Sequence, residues 1–412
     1  MNILFLSPYL SSPPRSGGQR RIHGLARELA RRHSVSFLAF ADVHGPRHEL
    51  EESVRATKEY AETVETVPNP LWGAPGLRKR ILQARAMGGL HTFEHIVSTL
   101  PAMQSALDRL LSGGRFDVLQ VEFPYQAAYD FSAGGARTRL CLDEHNLEYD
   151  VLRRTAETDV GAVRRAYSML TWRKLWLEER RAWRRFDGTV VTSVRDEELL
   201  RKDVPGARTA MVPNGVDVDT FVPTPNEAVD RNTVLFLGAI NYYPNTDGLL
   251  FFLREAWPAL KAARPGVKLK IVGPKPPPVI SGWRDPDVEV TGFVDDVRPH
   301  IARAGAMLVP LRIGGGTRLK VLEAMAFGKP VVSTTLGAEG IDVTHEKDIL
   351  IADDGRAFAA ATARVLGDEA LAARLGQAAR ELVVGKYSWR SAADRISEFH
   401  EELLAAPPRS KR

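Results

Sequence analysis

The sequence predicts an α/β protein of two doubly wound, parallel-sheet domains facing across a cleft, and three observations carry that prediction. The chain has 412 residues, 44% hydrophobic and 26% charged, which is enough apolar material for two ordinary globular cores. Short β-branched runs alternate with longer segments of helical period, as in parallel sheets covered by helices. This alternation occurs twice, on either side of a connector rich in proline.

The first half holds predicted strands at residues 2–7, 34–40, 117–121, 138–143 and 188–193. The first of them follows no basic segment and precedes no small-residue cleavage site, so it reads as a strand and not as a leader. The connector contains Met211-Val212-Pro213-Asn214-Gly215-Val216-Asp217 and then Phe221-Val222-Pro223-Thr224-Pro225. Proline and Asn-Gly there oppose regular structure, which puts the hinge at about 205–230. Beyond it, strands are predicted at 233–238, 267–272, 287–291, 306–309, 330–333 and 348–351. A last helix begins after Tyr387-Ser388-Trp389, with Ser388 as its cap, and runs to about Leu404 ahead of Pro407-Pro408, leaving a frayed tail at 409–412. The expected domains are 1–212 and 213–388, with 389–412 as a terminal helix and tail.

Composition excludes several classes. The lone Cys141, between Leu140 and Leu142, permits no internal disulfide and is expected to be a buried thiol in a reducing cytosol. A net charge of +5 is mild for this length, and no zinc spacing or aromatic-basic motif accompanies it, so a nucleic-acid partner is not expected. No apolar stretch approaches the ~18 residues of a spanning helix, which limits membrane contact to the periphery. The arginine-rich stretch 164–185 places Trp172, Trp176 and Trp183 on one helical face. Core packing or an intersubunit contact is the favoured reading, with docking on anionic lipid as the alternative, to which Arg20, Arg21, Arg27, Arg31 and Arg32 would add.

Ligands of doubly wound sheets bind where loops leave the carboxyl ends of strands. After the first strand, Ser7-Pro8-Tyr9 leads to Gly17-Gly18-Gln19 at the start of a helix, where bare N–H groups suit a phosphate unless the glycines serve only a turn. No G-x-G-x-x-G follows, against a nicotinamide or flavin cofactor. The strongest signal is Gly314-Gly315-Gly316-Thr317-Arg318-Leu319-Lys320-Val321-Leu322-Glu323, a glycine loop between strand and helix. Arg318 and Lys320, placed in the first turn, oppose the helix dipole, which points to an anionic partner such as a diphosphate. Glu323, deeper in the helix, suits a vicinal diol such as a ribose, or else an ion pair. Asp143-Glu144-His145-Asn146 follows a predicted strand, and an imidazole there would orient an acceptor or bind a donor hydroxyl; the alternative is a structural histidine with Asp143 or Glu144 as its neighbour. Glu122 is a weaker candidate for acceptor contact and is not read as a base. No aspartate pair near the phosphate loop demands a divalent ion, so no metal is expected.

The segment from Gly314 to Val332 resembles the C-domain signature of retaining glycosyltransferases of family 4. The Gly17-Gly18 loop, Val212-Pro213-Asn214-Gly215-Val216-Asp217 with Phe221, Leu237-Gly238, Val272-Gly273, Thr291-Gly292-Phe293-Val294 and Tyr387-Ser388-Trp389 agree with that pattern in order. The resemblance implies the GT-B fold of two Rossmann-like domains and a nucleotide-sugar donor, with no cofactor. It implies that Glu323 holds the donor ribose, that the backbone around Val294 meets the nucleobase, that His145 stands near the transferring sugar, and that the last helix crosses back to the first domain. It also implies front-face attack, with the leaving diphosphate assisting deprotonation of the acceptor.

Two positions depart from the pattern. The first of the family's two glutamates falls on Gly315, and the loop 238–245 lacks the usual basic pair, whose charge Arg318 and Lys320 would then supply. The expected catalytic residues are thus His145, Arg318 and Lys320, and the expected donor-binding residues Gly17, Gly18, Gly238, Val294, Gly315, Gly316, Thr317 and Glu323. The acceptor would be a glycan, a lipid-linked sugar or a small molecule, handled in the cytoplasm or at the inner face of a membrane. The alternatives are a nucleotide-sugar epimerase of the same fold and an inactive nucleotide-binding scaffold.

Overall fold

Strands of a computed structural model form two all-parallel sheets, one in each of two units: Met1–Pro213 with Trp389–Arg412, and Asn214–Ser388. The structure describes residues 1–41, 47–72, 76–157, 162–223, 229–314 and 316–409.

In the first unit, β1 (Asn2–Ser7), β2 (Ser34–Phe40), β3 (Thr63–Val67), β4 (Val118–Glu122), β5 (Arg139–Asp143), β6 (Gly188–Val191) and β7 (Thr209–Met211) lie in the order β3-β2-β1-β4-β5-β6-β7. The near-continuous apolar run of β1 follows from its place between β2 and β4, where both faces are covered and Ile3, Leu4, Phe5 and Leu6 are fully buried. The chain order reverses between β1 and β4, so the crevice at their carboxyl ends receives the loops after Ser7 and Glu122.

Two strands escape the sequence reading because edge strands have weak signals. β3, Thr-Val-Glu-Thr-Val, is half-buried and alternates polar with apolar. β7 lies inside the stretch assigned to the connector, pairing Thr189 with Thr209 and Val191 with Met211, so the irregular chain starts only after it. An edge strand needs one hydrogen-bonded neighbour, which three residues can supply.

The second unit contains β8 (Asp230–Leu237), β9 (Lys268–Val272), β10 (Val288–Gly292), β11 (Ala304–Val309), β12 (Val331–Ser333) and β13 (Leu350–Ile351), in the order β10-β9-β8-β11-β12-β13. Its reversal falls between β8 and β11, which places the loops after Leu237 and Val309 side by side.

The helix Trp389–Ala405 belongs to the first unit, where Ala392, Ala393, Ile396, Phe399 and Leu403 are buried in its core. It packs closely on the helix Gly17–Leu29, since a Cβ on Gly24 would come within 2.3 Å of the Trp389 ring. His400 Nε2 meets Gln120 Oε1 of β4 at 2.9 Å.

The tryptophans of the helix Ala162–Arg185 are core residues. Trp183 is fully buried with its Nε1 donating to Glu144 Oε1 at 2.7 Å, Trp176 Nε1 donates to Asp203 Oδ2 at 2.6 Å, and Trp172 packs on the same core. The lipid-docking alternative for this stripe is therefore withdrawn. Arg21, assigned with its neighbours to a basic surface, is also buried. Cys141 is a free thiol inside β5, with burial pushing its pKa up. Among the described residues, no helix is long and apolar enough to cross a membrane.

Candidate active site

Three segments of the first unit converge at the carboxyl end of its sheet. The helix Gly17–Leu29 starts at Ser16, whose side chain accepts from Gln19 N while the Gln19 side chain returns to the Ser16 backbone, a capping box that fixes the first turn. A Cβ on Gly18 would stand 2.4 Å from the Tyr9 hydroxyl, 3.1 Å from Phe123 and 3.5 Å from His145 Nδ1. Glycine at 18 is thus required by close packing against the residues that follow β1, β4 and β5. Gly17 is exposed in the same turn.

His145 is buried two residues past β5, and its Nε2 lies 2.7 Å from Glu122 Oε2 at the end of β4. Its ring rests on Phe123, centroids 3.8 Å apart, and Phe123 in turn stacks on Tyr125 at 5.2 Å. Phe123 adopts a φ of 71°, a strained value for a bulky side chain, and this turns its ring beneath the imidazole. Burial raises Glu122 to about 7, against the pull of Arg21, and lowers His145 to about 3. The pair therefore carries one proton between those limits and no net charge.

The predicted neighbour of His145 is corrected here. Its partner is Glu122, whereas Asp143 is taken by Arg21, whose Nε and Nη2 reach Oδ2 and Oδ1 at 3.0 and 2.8 Å and whose Nη1 donates to Val212 O at 3.0 Å. Glu144 is engaged with Trp183. Ligand atoms of Glu122, Asp143 and His145 lie within 4.8 Å of one another, but the Arg21 guanidinium already neutralises the group, and a divalent cation would meet that charge.

In the second unit, loops leave the sheet through glycines that tolerate no side chain. A Cβ on Gly273, after β9, would stand 1.7 Å from Gly238 O, after β8, which lets these two loops touch backbone to backbone. Lys320, one residue into the helix Leu319–Ala326, reaches back to this point. Its Nζ donates to Asn245 Oδ1 at 2.8 Å, sits 4.3 Å over the Phe236 ring, and lies 3.0 Å from the place of a Cβ on Gly238. Burial lowers its pKa to about 7, Arg318 adds to the effect, and Glu323 opposes it.

Arg318 immediately precedes the helix and is not within its first turn; its Nη1 donates to Gly316 O at 2.9 Å. Thr317 is buried, and its Oγ1 has no hydrogen-bond partner among the described residues. Glu323 is buried on the same helix. Val294 is half-buried beyond β10, two strands away from β8, and packs on the apolar cluster that contains Leu237, Val272 and Val321, while neighbouring Phe293 is 71% exposed. Gly315 lies outside the described residues.

The structure thus gathers Gly18, Glu122 and His145 in one unit, and Gly238, Gly316, Arg318, Lys320 and Glu323 in the other. Sequence reasoning missed Tyr9, Arg21 and Phe123 in the first and Asn245 in the second. Arg21 and Asp143 are 122 residues apart, and only the sheet order makes them neighbours. Asn245 carried a weak signal, since it follows Gly238 in the loop that lacks basic residues.

Two α/β units with parallel sheets, each presenting glycine-bounded loops at its switch point, define the GT-B class of glycosyltransferase. Residues 15–220 match Glycosyltransferase Family 4 and residues 231–368 match Glycosyl transferases group 1; the first match covers half of the chain, and the protein belongs to this family.

Among curated relatives, the chain is 30% identical over 239 residues to a GDP-mannose-dependent alpha-(1-6)-phosphatidylinositol monomannoside mannosyltransferase of Mycobacterium tuberculosis, covering 51% of this chain and 60% of that one. It is 25% identical over 251 residues to the lipopolysaccharide 1,2-N-acetylglucosaminetransferase of Salmonella typhimurium, again covering 51% of this chain and 60% of the relative. The matches thus span 60% of the length of these relatives. Sucrose-phosphate synthase from Thermosynechococcus elongatus superposes with a TM-score of 0.70 over 98% of this chain and 100% of that one at 18% identity. Anabaena HepE in complex with UDP gives 0.69 over the same shares at 15% identity. These two likenesses concern the fold.

Proposed function

We propose that the protein transfers a sugar from a nucleoside diphosphate sugar to a hydroxyl acceptor with retention of anomeric configuration, the second unit holding the donor and the first the acceptor. The observation that carries this reading is the position of Lys320. A half-buried ammonium aimed at the end of β8, where the family's basic pair is missing, supplies positive charge at the place a donor diphosphate needs it. Arg318 adds a guanidinium at the glycine-bounded start of the next helix, where backbone N–H groups also favour an anion. Glu323 is assigned the ribose hydroxyls, the Gly238 loop the diphosphate, and the backbone at Val294 the base.

The acceptor oxygen attacks the anomeric carbon on the face from which the diphosphate departs. The bond from that carbon to the phosphate oxygen breaks, the diphosphate takes both electrons, and a diphosphate oxygen accepts the acceptor proton. Lys320 and Arg318 stabilise the developing charge. The neutral Glu122–His145 pair orients a hydroxyl beside the Gly17-Gly18 turn. No step needs a metal ion, since the cationic side chains occupy that role.

One curated relative is named GDP-mannose-dependent and one structure of like fold holds UDP, so both nucleotides belong in the first assay. Calorimetry with UDP-, GDP- and ADP-sugars on wild type and Arg318→Ala tests the assignment. Selective binding of one nucleotide class, lost in the variant, supports it; binding equal in both proteins places the diphosphate elsewhere. The two curated relatives named above are both transferases, which favours transfer over donor epimerisation and over a scaffold role.

A lipid-linked acceptor suits a second feature of the first unit. Leu77, Ile81, Met87 and Leu90 are exposed beside Arg78, Lys79, Arg80 and Arg85, on and just after the helix Gly76–Gly88. Apolar side chains among cations fit an anionic bilayer surface, and this face takes over the peripheral contact first sought in the tryptophan stripe. Co-sedimentation with anionic but not zwitterionic vesicles, lost in Leu77→Asp/Ile81→Asp, is the expected result.

A further inference from the structure

We infer that Gln120 and His400 are positioning residues of the acceptor site, the inner half of a buried relay, His400–Gln120–Glu122–His145, that holds the His145 ring with its Nδ1 toward the acceptor. The inference rests on the transferase reading for its purpose, though not for its geometry.

β4 lies inside the sheet, between β1 and β5, where a strand is ordinarily apolar throughout. Val118, Leu119 and Val121 obey that rule and are fully buried; Gln120 and Glu122, just as buried, break it. Two residues apart, they share one face of the strand. Val118 lies on that face too, in a core with Ile396 and Phe399 of the last helix.

His400 comes from that helix, Trp389–Ala405, and its Nε2 lies 2.9 Å from Gln120 Oε1. The Gln120 amide nitrogen donates to Glu122 Oε1 at 3.4 Å, and Glu122 Oε2 lies 2.7 Å from His145 Nε2. Because the Gln120 oxygen can only accept, Nε2 of His400 carries that ring's hydrogen. His400 Nδ1 is buried with no hydrogen-bond partner among the described residues. Such an orphan is costly, and an apolar side chain of similar size would avoid the cost. What His400 contributes is its hold on Gln120.

At the other end, Nε2 of His145 is engaged, and Nδ1 faces the Gly17-Gly18 turn, 3.5 Å from the place of a Cβ on Gly18. Below pH 7 the Glu122 proton on Oε2 donates to Nε2, so the ring's own hydrogen is on Nδ1. Nδ1–H then donates to the oxygen of an acceptor hydroxyl and leaves the hydroxyl hydrogen free for the diphosphate. When Glu122 ionises, one proton leaves the pair and the ring's hydrogen sits on Nε2. Nδ1 becomes an acceptor, and the hydroxyl must turn.

The N–H of Gln120 favours the ionised carboxylate, so it sets the pH of this change. Arg21 acts in the same direction. The other groups that face the pair are Asp143, which Arg21 holds, the hydroxyls of Tyr9 and Tyr125, and the Cys141 thiol.

The test is the tautomer of His145, read from the ring-nitrogen shifts of histidine-labelled full-length protein and assigned with His145→Ala, beside transfer kinetics. Wild type is expected to pass from Nδ1–H to Nε2–H with a midpoint at about pH 7. Gln120→Leu should move that midpoint up by about 0.5–1 pH unit and lower kcat at least about tenfold, with KM for the donor unchanged. Gln120→Leu/His400→Leu, which replaces both partners by apolar groups and so protects the fold, should do the same. His400→Gln, whose amide can donate to Gln120 in place of the ring, should stay near wild type, while His400→Leu should not. A single tautomer at every pH in wild type, a wild-type midpoint in the folded Gln120 variants, or equal behaviour of His400→Gln and His400→Leu overturns the inference. If wild type transfers no sugar, the transferase reading falls, and the midpoints alone decide the relay.

Discussion

His145 Nε2 and Glu122 Oε2 meet at 2.7 Å inside the first unit, so the imidazole assigned to the acceptor is held by a carboxyl from the adjacent strand. The pair is buried, so a change of protonation on either member is felt by the other. This coupling gives the site a pH signature.

Glu122 titrates at about 7 in the folded chain against an ordinary 4.5. A carboxyl whose pKa is raised on folding contributes stability that is full below its unfolded value and lost as pH rises through the folded one. The urea midpoint of wild type is therefore expected to fall between pH 5 and 8. Glu122→Gln should flatten part of that slope, leaving the part due to the other buried glutamates, Glu148, which burial also raises to about 7, and Glu144 and Glu179, which burial raises well above the usual range. An unchanged slope in Glu122→Gln would show that the carboxyl is ionised in the native state.

His145→Ala should keep the fold, because its ring lies at the end of the sheet, yet reduce kcat/KM for the true acceptor by about 100-fold, the scale of a reacting hydroxyl that is no longer held in place. Circular dichroism and steady-state kinetics on the same preparation decide this. Wild-type turnover would remove His145 from the active site.

Lys320, with a pKa of about 7, must be protonated to hold a diphosphate. Affinity for the nucleoside diphosphate is expected to fall on going from pH 7 to 9, by up to about tenfold per unit, while affinity for the nucleoside stays level. Lys320→Met should bind weakly and lose this slope. Calorimetry at three pH values reads both effects.

Arg21→Ala would leave the Asp143 carboxylate buried without its guanidinium. The expected loss is about 3–5 kcal/mol of unfolding free energy, measured by urea denaturation, and well beyond that of Arg32→Ala, whose pair with Asp394 is exposed.

Gly273→Ala is expected to cost at least about 3 kcal/mol, because the new Cβ would meet a backbone oxygen that cannot move aside. Gly385→Ala, near the end of the helix Glu369–Lys386 with nothing within 4 Å of the added carbon, should instead stabilise by about 0.5–1 kcal/mol. Thermal and urea unfolding of the two variants separate close approach from helix propensity.

The central strands were legible in the sequence: residues 2–7 and 34–40 match β1 and β2 in full, since strands buried on both faces must be apolar throughout. The edge strands β3 and β7 were not, because one neighbour and one covered face impose little on composition. In the same way the glycine loop at Gly314 and the cations at Arg318 and Lys320 could be read locally, because helix starts and anion contacts depend on residues close in sequence.

By itself, then, the sequence determined the two α/β units and the residues flanking the second unit's helix start, which follow from short-range periodicity and spacing, and its motifs carried the resemblance to the family. Tertiary structure alone decided that Lys320 turns to Asn245 at the end of β8, that Glu122 and not Asp143 holds His145, and that Arg21 is buried. Each of these contacts joins residues brought together by strand order or helix packing. The direction of a side chain across such distances is set by the burial of the whole unit, which no local pattern records.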